Sequence, residues 1–217
     1  MSNRTIAVIS AGLNQPSSTR MLADRLAEAT VAELAARGLS ASVETFELRD
    51  VAHELINNLL TGFPSGDLRT VLAAVTGADG LIAVSPVFAT TYSGLFKTFV
   101  DILDREALTG MPVLLGATGG TPRHSLALEY SMRPLFTYLH ADVARTSVFA
   151  STDDWAGPPG GPAPDRGGSA AAERNALHSR ILRAGRELAE MAAAQPHATP
   201  PDPFADAPSF TDLLGQA

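Results

Sequence analysis

The chain has 217 residues, of which 45% are hydrophobic and 18% charged, so we expect one folded domain rather than two. It contains no cysteine, which excludes disulfides, thiolate nucleophiles and thiolate metal sites. The formal net charge of -7 offers no basic face for nucleic acid, and no apolar run has membrane-spanning length. We therefore expect a cytoplasmic protein that binds neither nucleic acid nor membrane.

Short apolar strands alternate with helical patterns along the first 150 residues. The predicted strands cover residues 5–9, 41–48, 80–84, 113–117 and 143–149, and the predicted helices cover residues 19–37, 67–76, 95–103 and 121–139. Pro86 is expected to end the third strand, and Pro134 to kink or break the last of these helices. This alternation predicts an α/β fold, a doubly wound five-stranded parallel sheet with helices on both faces.

The last third of the chain changes in composition. We expect residues 1–195 to form the domain, closed by a helix with the apolar stripe of Leu177, Ile181 and Leu188. A Gly/Pro-rich insertion at residues 156–168 interrupts it and is expected to be flexible. The Pro-rich tail, residues 196–217, ends in an apolar cluster that can dock on the same chain or on a neighbouring subunit; the cluster is Phe210, Leu213 and Leu214.

The loop after the first strand has the composition of a phosphate site. In doubly wound sheets the ligand lies outside the carboxyl ends of the strands, and this loop leads directly into a helix N-terminus. It supplies four hydroxyls and one cation: Ser10, Ser17, Ser18, Thr19 and Arg20. For each serine alone, an ordinary helix cap is the competing interpretation. The loop has neither a G-x-G-x-x-G nor a P-loop motif, so the pattern favours a mononucleotide such as FMN.

The loops after the third and fourth strands are candidates for binding a flat ring. The first carries the aromatic residues Phe88 and Tyr92, although Phe88 fits the protein core equally well. The second contains the adjacent glycines Gly119 and Gly120, which allow the backbone to approach a ligand closely. Backbone N–H groups there can face the pyrimidine edge of a flavin and favour its reduction.

Other motifs fail on spacing. His53-Glu54 begins like a zinc-protease motif, but Asn57 occupies the position of the second histidine. Asp153-Asp154 lacks the spacing of a metal loop, and we predict a solvated turn there together with Trp155. No G-x-S-x-G occurs, so a hydrolase is not supported. The sequence thus offers no metal site.

Three segments in register resemble the NAD(P)H-dependent FMN reductases of the flavodoxin-like fold. They are Pro16–Arg20, the run from Ser85 to Lys97, and Ala117–Gly120, within a resemblance that spans residues 4–150. Within that family the chain looks most similar to reductases that supply reduced FMN to luciferase-like two-component monooxygenases. The insertion at residues 156–168 departs from the family pattern.

The resemblance implies an NAD(P)H:FMN oxidoreductase with FMN and NADPH, or NADH, as cofactors. The phosphate would bind at Ser10, Ser17, Ser18, Thr19 and Arg20. The ring would bind at Pro86, Val87, Phe88, Tyr92, Ser93, Gly94, Thr118, Gly119 and Gly120. The nicotinamide would stack on the flavin and pass a hydride to its N5 atom, without a catalytic acid or base from the protein. The resemblance also implies a homodimer or homotetramer.

Two alternatives remain open from the residues. A quinone or azo reductase would use the same fold and the same open face of the flavin. A flavodoxin-like electron carrier would bind flavin without enzymatic activity, although the extra helix and the tail add bulk that a carrier does not need.

Overall fold

The computed structural model describes residues 3–155 and 169–195. The strands are β1 (Asn3–Ser10), β2 (Ser40–Glu47), β3 (Gly80–Phe88), β4 (Thr91–Tyr92), β5 (Pro112–Gly119), β6 (Asp142–Val143) and β7 (Val148–Ser151). The α-helices are α1 (Ser18–Ala36), α2 (Ala52–Thr61), α3 (Asp67–Thr76), α4 (Gly94–Asp101), α5 (Arg133–Tyr138) and α6 (Ser169–Ala194). Short 3-10 turns lie at Leu48–Val51, Pro122–His124 and Thr152–Trp155, and a π-helical turn at Leu128–Met132.

The sheet confirms the predicted fold class. Its main path runs β2-β1-β3-β5-β6, and these neighbours pair in parallel. The strand β7 also pairs with β5 in parallel, further along it, while β4 is antiparallel to β3. If β5 is counted as the fourth parallel strand, and β6 and β7 together as the fifth, the strand order is 2-1-3-4-5, which is the flavodoxin-like arrangement. Its switch point lies between β1 and β3.

Helices cover both faces of the sheet, so each central strand is buried on two sides. On one face α1 and α6 pack on alternate residues of the strands, among them Ile6, Val8 and Ile82. On the other face α2, α3, α4 and α5 pack on the intervening residues, among them Ala7 and Ile9. This two-sided burial explains why the strands are continuous apolar runs rather than alternating ones.

The strand β3 continues two residues beyond Pro86, so the prediction that Pro86 ends it was wrong. The carbonyl of Val84 accepts from the N–H of Ala11, 2.9 Å away, so the backbone of Val84 faces β1. Backbone groups of alternate residues in a strand point to the same side, so the backbone nitrogen of Pro86 also points toward β1. At this level β1 has already ended, at Ser10. The missing N–H of proline therefore costs no ladder hydrogen bond at this position.

The predicted fifth strand is divided into β6 and β7. Asp142 pairs with Pro112, whereas Val148 pairs with Gly116. The chain from β6 to β7 therefore contains two more residues than the part of β5 along which it pairs. Side chains satisfy the backbone of the extra residues. Arg133 donates to the carbonyl of Ala144 at 3.0 Å. Glu187 accepts from the N–H of Thr146 at 2.7 Å.

Two helical regions differ from the sequence prediction. The stretch after β2 was not assigned a helix, yet α2 forms there and ends at Gly62, whose φ of 79° is the left-handed conformation of a C-cap. The predicted helix over residues 121–139 is instead a 3-10 turn, a π-helical turn and the short α5. Pro134 lies in the first turn of α5, where proline needs no N–H, and so it marks the beginning of that helix.

The predicted closing helix is α6, which packs against α1. The insertion at residues 156–168 and the tail at residues 196–217, with Phe210, Leu213 and Leu214, lie outside the described residues. Among the residues that the structure does describe, none of the helices is long and apolar enough to cross a membrane.

The contact between α1 and α6 depends on Gly185. A Cβ atom at this position would lie 2.7 Å from Cβ of Ala29 and 2.9 Å from the backbone N of Thr30. In an open helix a Gly→Ala change stabilises, but here the methyl group would separate the two helices. We expect Gly185→Ala to lower the free energy of unfolding by about 1–3 kcal/mol in urea denaturation.

Arg183→Ala is the matched control, since Arg183 is an exposed residue of the same helix. Its free energy of unfolding should stay within about 0.5 kcal/mol of the unmodified chain. A stabilised Gly185→Ala protein would show that α1 and α6 do not approach as closely as described.

Candidate functional site

A cavity of about 240 Å³ opens at the carboxyl edge of the sheet, where β1, β3, β5 and β7 end. Its lining residues come from four chain segments and carry no ionisable side chain in the part of the chain that is described. They are Gly12, Leu13, Asn14, Pro16, Ser17, Ser18, Thr19, Pro86, Val87, Phe88, Thr118, Gly119, Gly120, Thr152 and Trp155. The position agrees with the edge at which doubly wound sheets bind ligands.

The loop between β1 and α1 forms an anion-binding end of the cavity. Ser17 caps α1 by accepting a hydrogen bond from the N–H of Arg20 at 3.2 Å, and no acidic residue lies in the first helical turn. The positive end of the helix dipole therefore faces the cavity without a competing carboxylate. A Cβ atom on Gly12 would collide with the Ser17 hydroxyl, so a side chain there would displace the group that caps α1.

A buried hydroxyl below this loop is unsatisfied. Ser10, the last residue of β1, is fully buried, and its Oγ has no hydrogen-bond partner among the described atoms. A buried hydroxyl without a partner costs free energy. Ser10 itself does not line the cavity, whereas Ser17 and Ser18 do, and their hydroxyls together with the N-terminus of α1 fit a phosphate monoester.

A hydrogen bond connects this loop to the end of β5. The Oγ1 atoms of Thr19 and Thr118 are 2.8 Å apart, and both residues are buried. The bond fixes the beginning of α1 against the strand whose last residues form another wall of the cavity.

The wall from β3 is a two-residue hairpin between Phe88 and Thr91. Its turn residues Ala89 and Thr90 have φ values of 46° and 74°, a left-handed conformation that residues other than glycine adopt at a cost. Ser85 supports the hairpin: its Oγ donates to the carbonyl of Pro86 at 2.9 Å and accepts from the N–H of Ser93 at 3.0 Å. The hairpin places Phe88, which is 46% exposed, at the rim of the cavity.

The two adjacent glycines after β5 have different surroundings. A Cβ atom on Gly119 would lie 2.9 Å from Cζ of Phe149, so this glycine is required by the packing of the sheet. A Cβ atom on Gly120 would meet no atom within 4 Å. Gly120 therefore leaves open space at the cavity, whereas Gly119 permits close packing behind it.

Arg20 does not line the cavity. Its guanidinium donates to Asp24 at 2.7 Å and to Glu47 at 3.1 Å, and Glu47 also pairs with Arg49 at 2.9 Å. The hydrogen bond to Asp24 raises the pKa of Arg20 above its usual value. The charge that the sequence suggested for a phosphate is thus compensated by two carboxylates.

The structure brings most of the predicted residues to one cavity. They are Ser17, Ser18, Thr19, Pro86, Val87, Phe88, Thr118, Gly119 and Gly120. Five others lie outside the lining: Ser10, Arg20, Tyr92, Ser93 and Gly94. Of these, Ser93 is buried and caps α4 by accepting from the N–H of Phe96 at 3.2 Å.

Sequence reasoning missed the wall after β7. Thr152 and Trp155 line the cavity, although the prediction placed Trp155 in a solvated turn. The predicted turn forms, and Asp153 is exposed. Asp154 differs from the prediction, because its side chain is only 10% exposed and its Oδ2 accepts two hydrogen bonds from Ser151. The available signal was position, since these residues follow a strand at the edge where ligands bind.

Comparison with known proteins agrees with this arrangement. The family model for NADPH-dependent FMN reductase matches residues 4–156. The chain belongs to this family. It is 37% identical over 150 residues to an FMN reductase (NADPH) of Pseudomonas aeruginosa, covering 69% of this chain and 78% of that protein. It is 35% identical over 148 residues to the NADH-dependent FMN reductase SfnF of Pseudomonas putida, covering 68% and 77%.

A solved structure of an oxidoreductase from Corynebacterium diphtheriae superposes with a TM-score of 0.81 at 43% identity, covering 90% of this chain and all of that one. The chain is therefore an NAD(P)H:FMN oxidoreductase with a flavodoxin-like fold. Its reactants are FMN and NADPH or NADH.

Gly120→Val tests whether FMN occupies the open space at this glycine. A Cβ atom at this position has no protein atom within 4 Å, so we expect an unchanged free energy of unfolding. We expect the dissociation constant for FMN to rise at least about tenfold, or about 1.4 kcal/mol, because the side chain would overlap the ligand. Titration by quenching of flavin fluorescence measures it. A stable variant with unchanged affinity would place FMN elsewhere.

Arg20→Ala tests whether the guanidinium contacts the phosphate. Because Asp24 and Glu47 already compensate its charge at a partly exposed position, we expect FMN binding to weaken by less than about 1 kcal/mol. Isothermal titration calorimetry would measure the change. A loss of about 1.5–3 kcal/mol would instead mean that Arg20 leaves its carboxylates to bind the phosphate.

Proposed function

We propose that FMN binds in this cavity with its phosphate at the N-terminus of α1 and its ring between the ends of β3 and β5. Support for the phosphate end comes from the hydroxyls of Ser17, Ser18 and Thr19 and from the acid-free first turn of α1. The apolar residues Pro86–Phe88 support the ring on one side. On the other side, Thr118–Gly120 offers backbone groups to its polar edge.

The role of the protein in the reaction is to bind and orient two rings. When bound, FMN supplies the electron-accepting ring that takes a hydride from the nicotinamide at N5. The N–H groups at Gly119 and Gly120 favour negative charge on the pyrimidine edge. The exposed side of the cavity beside Phe88 receives the nicotinamide, and holding both rings in contact lowers the entropic part of the barrier. The neutral lining assigns no proton transfer to a side chain.

The single observation that carries the proposal is the convergence of three loops on one cavity at the switch-point edge, joined by the hydrogen bond between Thr19 and Thr118. A helix N-terminus alone would suit many anions. A ligand with a phosphate at one end and a flat heterocycle at the other uses all three loops.

We propose further that reduced FMN leaves this site to supply a partner monooxygenase of the luciferase-like type. The cavity of about 240 Å³ is smaller than the roughly 300–1,000 Å³ of sites that enclose a whole ligand. The described residues therefore enclose FMN only partly, which suits a flavin that is exchanged during turnover.

A homodimer or homotetramer is part of the same proposal. Four large apolar side chains are exposed on α2 and just after it: Ile56, Leu59, Leu60 and Phe63. A second subunit covering them would remove apolar surface from water. Light scattering during size-exclusion chromatography would measure the oligomeric state, and a monomer at all concentrations would contradict this part.

Steady-state kinetics test the proposed function. We expect oxidation of NADPH or NADH, followed by the loss of nicotinamide absorbance, to depend on added FMN and to saturate with it. A quinone reductase would turn over faster with a quinone than with FMN. An electron carrier would consume no nicotinamide on its own. Stoichiometric FMN that stays bound through turnover would contradict the supply of free reduced flavin.

A further inference from the structure

Trp155 is the only tryptophan of the chain, and it borders the cavity. It ends the 3-10 turn Thr152–Trp155, which directly follows β7. Thr152, at the other end of the turn, also lines the cavity. The turn therefore adds a wall to the site that belongs to none of the three loops to which the FMN site is assigned above.

The turn is anchored by the residue that precedes the tryptophan. Oδ2 of Asp154 accepts from both the N–H and the Oγ of Ser151, each at 2.7 Å. From α6, Arg180 approaches Oδ1 of Asp154 to 3.9 Å and donates to the carbonyl of Phe149 at 3.4 Å. The carboxylate thus connects the end of β7 to α6 and fixes the backbone that carries Trp155.

The indole itself is held from a third direction. The guanidinium carbon of Arg25, on α1, lies 4.8 Å from the centroid of the ring. Trp155 also packs against the core between α1, α6 and the sheet. The cation over one face of the ring and the contact with the core restrict the rotation of the side chain. An aromatic surface held in this way has lost its conformational freedom before a ligand arrives.

Building on the proposed function, we propose that Trp155 contacts bound FMN directly and that Asp154 is the positioning residue that holds it there. An indole offers a flat polarisable surface and one N–H donor. Both suit a ligand made of a heteroaromatic ring and a polyhydroxy chain. Among the described lining residues, Trp155 and Phe88 are the two aromatic side chains, and they come from different segments of the chain.

Affinity for FMN measured by calorimetry on the full chain tests the contact. We expect Trp155→Leu to raise the dissociation constant about three- to tenfold, and Trp155→Phe to raise it less, because phenylalanine keeps an aromatic surface. The visible difference spectrum of bound FMN should also change in Trp155→Leu. Both variants are compared by thermal denaturation, and Trp155→Phe keeps the test valid if Trp155→Leu folds poorly.

Tyr138→Leu is the matched control. Tyr138 also lies beneath an arginine, with the guanidinium carbon of Arg105 5.4 Å from its ring, but it does not line the cavity. Its FMN affinity and difference spectrum should equal those of the unmodified chain. If Trp155→Leu behaves like Tyr138→Leu while the unmodified chain binds FMN, the contact is refuted and the proposed function stands. If the unmodified chain releases no heat with FMN, both proposals fail.

A double-mutant cycle tests the positioning role of Asp154. We expect Asp154→Ala to weaken FMN binding and alter the flavin spectrum in the unmodified chain, but to add no further effect in the Trp155→Leu background. Asp154→Asn, which keeps an acceptor oxygen for Ser151, should restore most of the affinity. Equal effects of Asp154→Ala in both backgrounds would refute a role exerted through Trp155.

Discussion

A buried hydrogen bond of 2.8 Å joins the hydroxyls of Thr19 and Thr118, and the site depends on the distance that it sets. One partner lies in the first turn of α1 and the other at the end of β5, on either side of the switch point. A second bond, from the N–H of Ala11 to the carbonyl of Val84, holds the exit of β1 against β3. The loop after β1 and the end of β5 are therefore fixed to the sheet itself, so a ligand that spans the cavity meets both in one geometry.

The electrostatics of the site come from the backbone more than from charged side chains. The described lining is neutral, and two arginines outside it, Arg20 and Arg49, are paired with Asp24 and Glu47. What remains is the positive end of α1 and the N–H groups after β5. In the proposed complex, these partial charges face the anionic flavin.

Much of the fold followed from the sequence because buried parallel strands have an unmistakable pattern. Continuous apolar runs such as Val113–Ala117 and the capping residue Ser17 are local signals. Features that depend on distant partners were not visible. Pro86 is compatible with a strand only because β1 has already ended beside it, and Arg20 is turned away by Glu47, which is 27 residues further along the chain.

The candidate site likewise combines features that local sequence signals predicted with features that depend on distant partners. The three loops were predicted from their composition and from the rule that ligands bind at the carboxyl edge. Trp155 was missed because the acidic pair before it suggested solvent, whereas Asp154 turns inward to the backbone of Ser151. Gly119 and Gly120 look equivalent in the sequence, yet only the ring of Phe149, 30 residues away, distinguishes them.

The division of the last strand into β6 and β7 limits how its length can vary. The shift against β5 between Val143 and Val148 is two residues, an even number, so Val143 and Phe149 still face the same side of the sheet. A shift of one residue would exchange the inward-facing and outward-facing sets of β7 and would turn Phe149 away from Gly119. The core is therefore compatible with insertions or deletions of two residues at residues 144–147, but not with those of one residue.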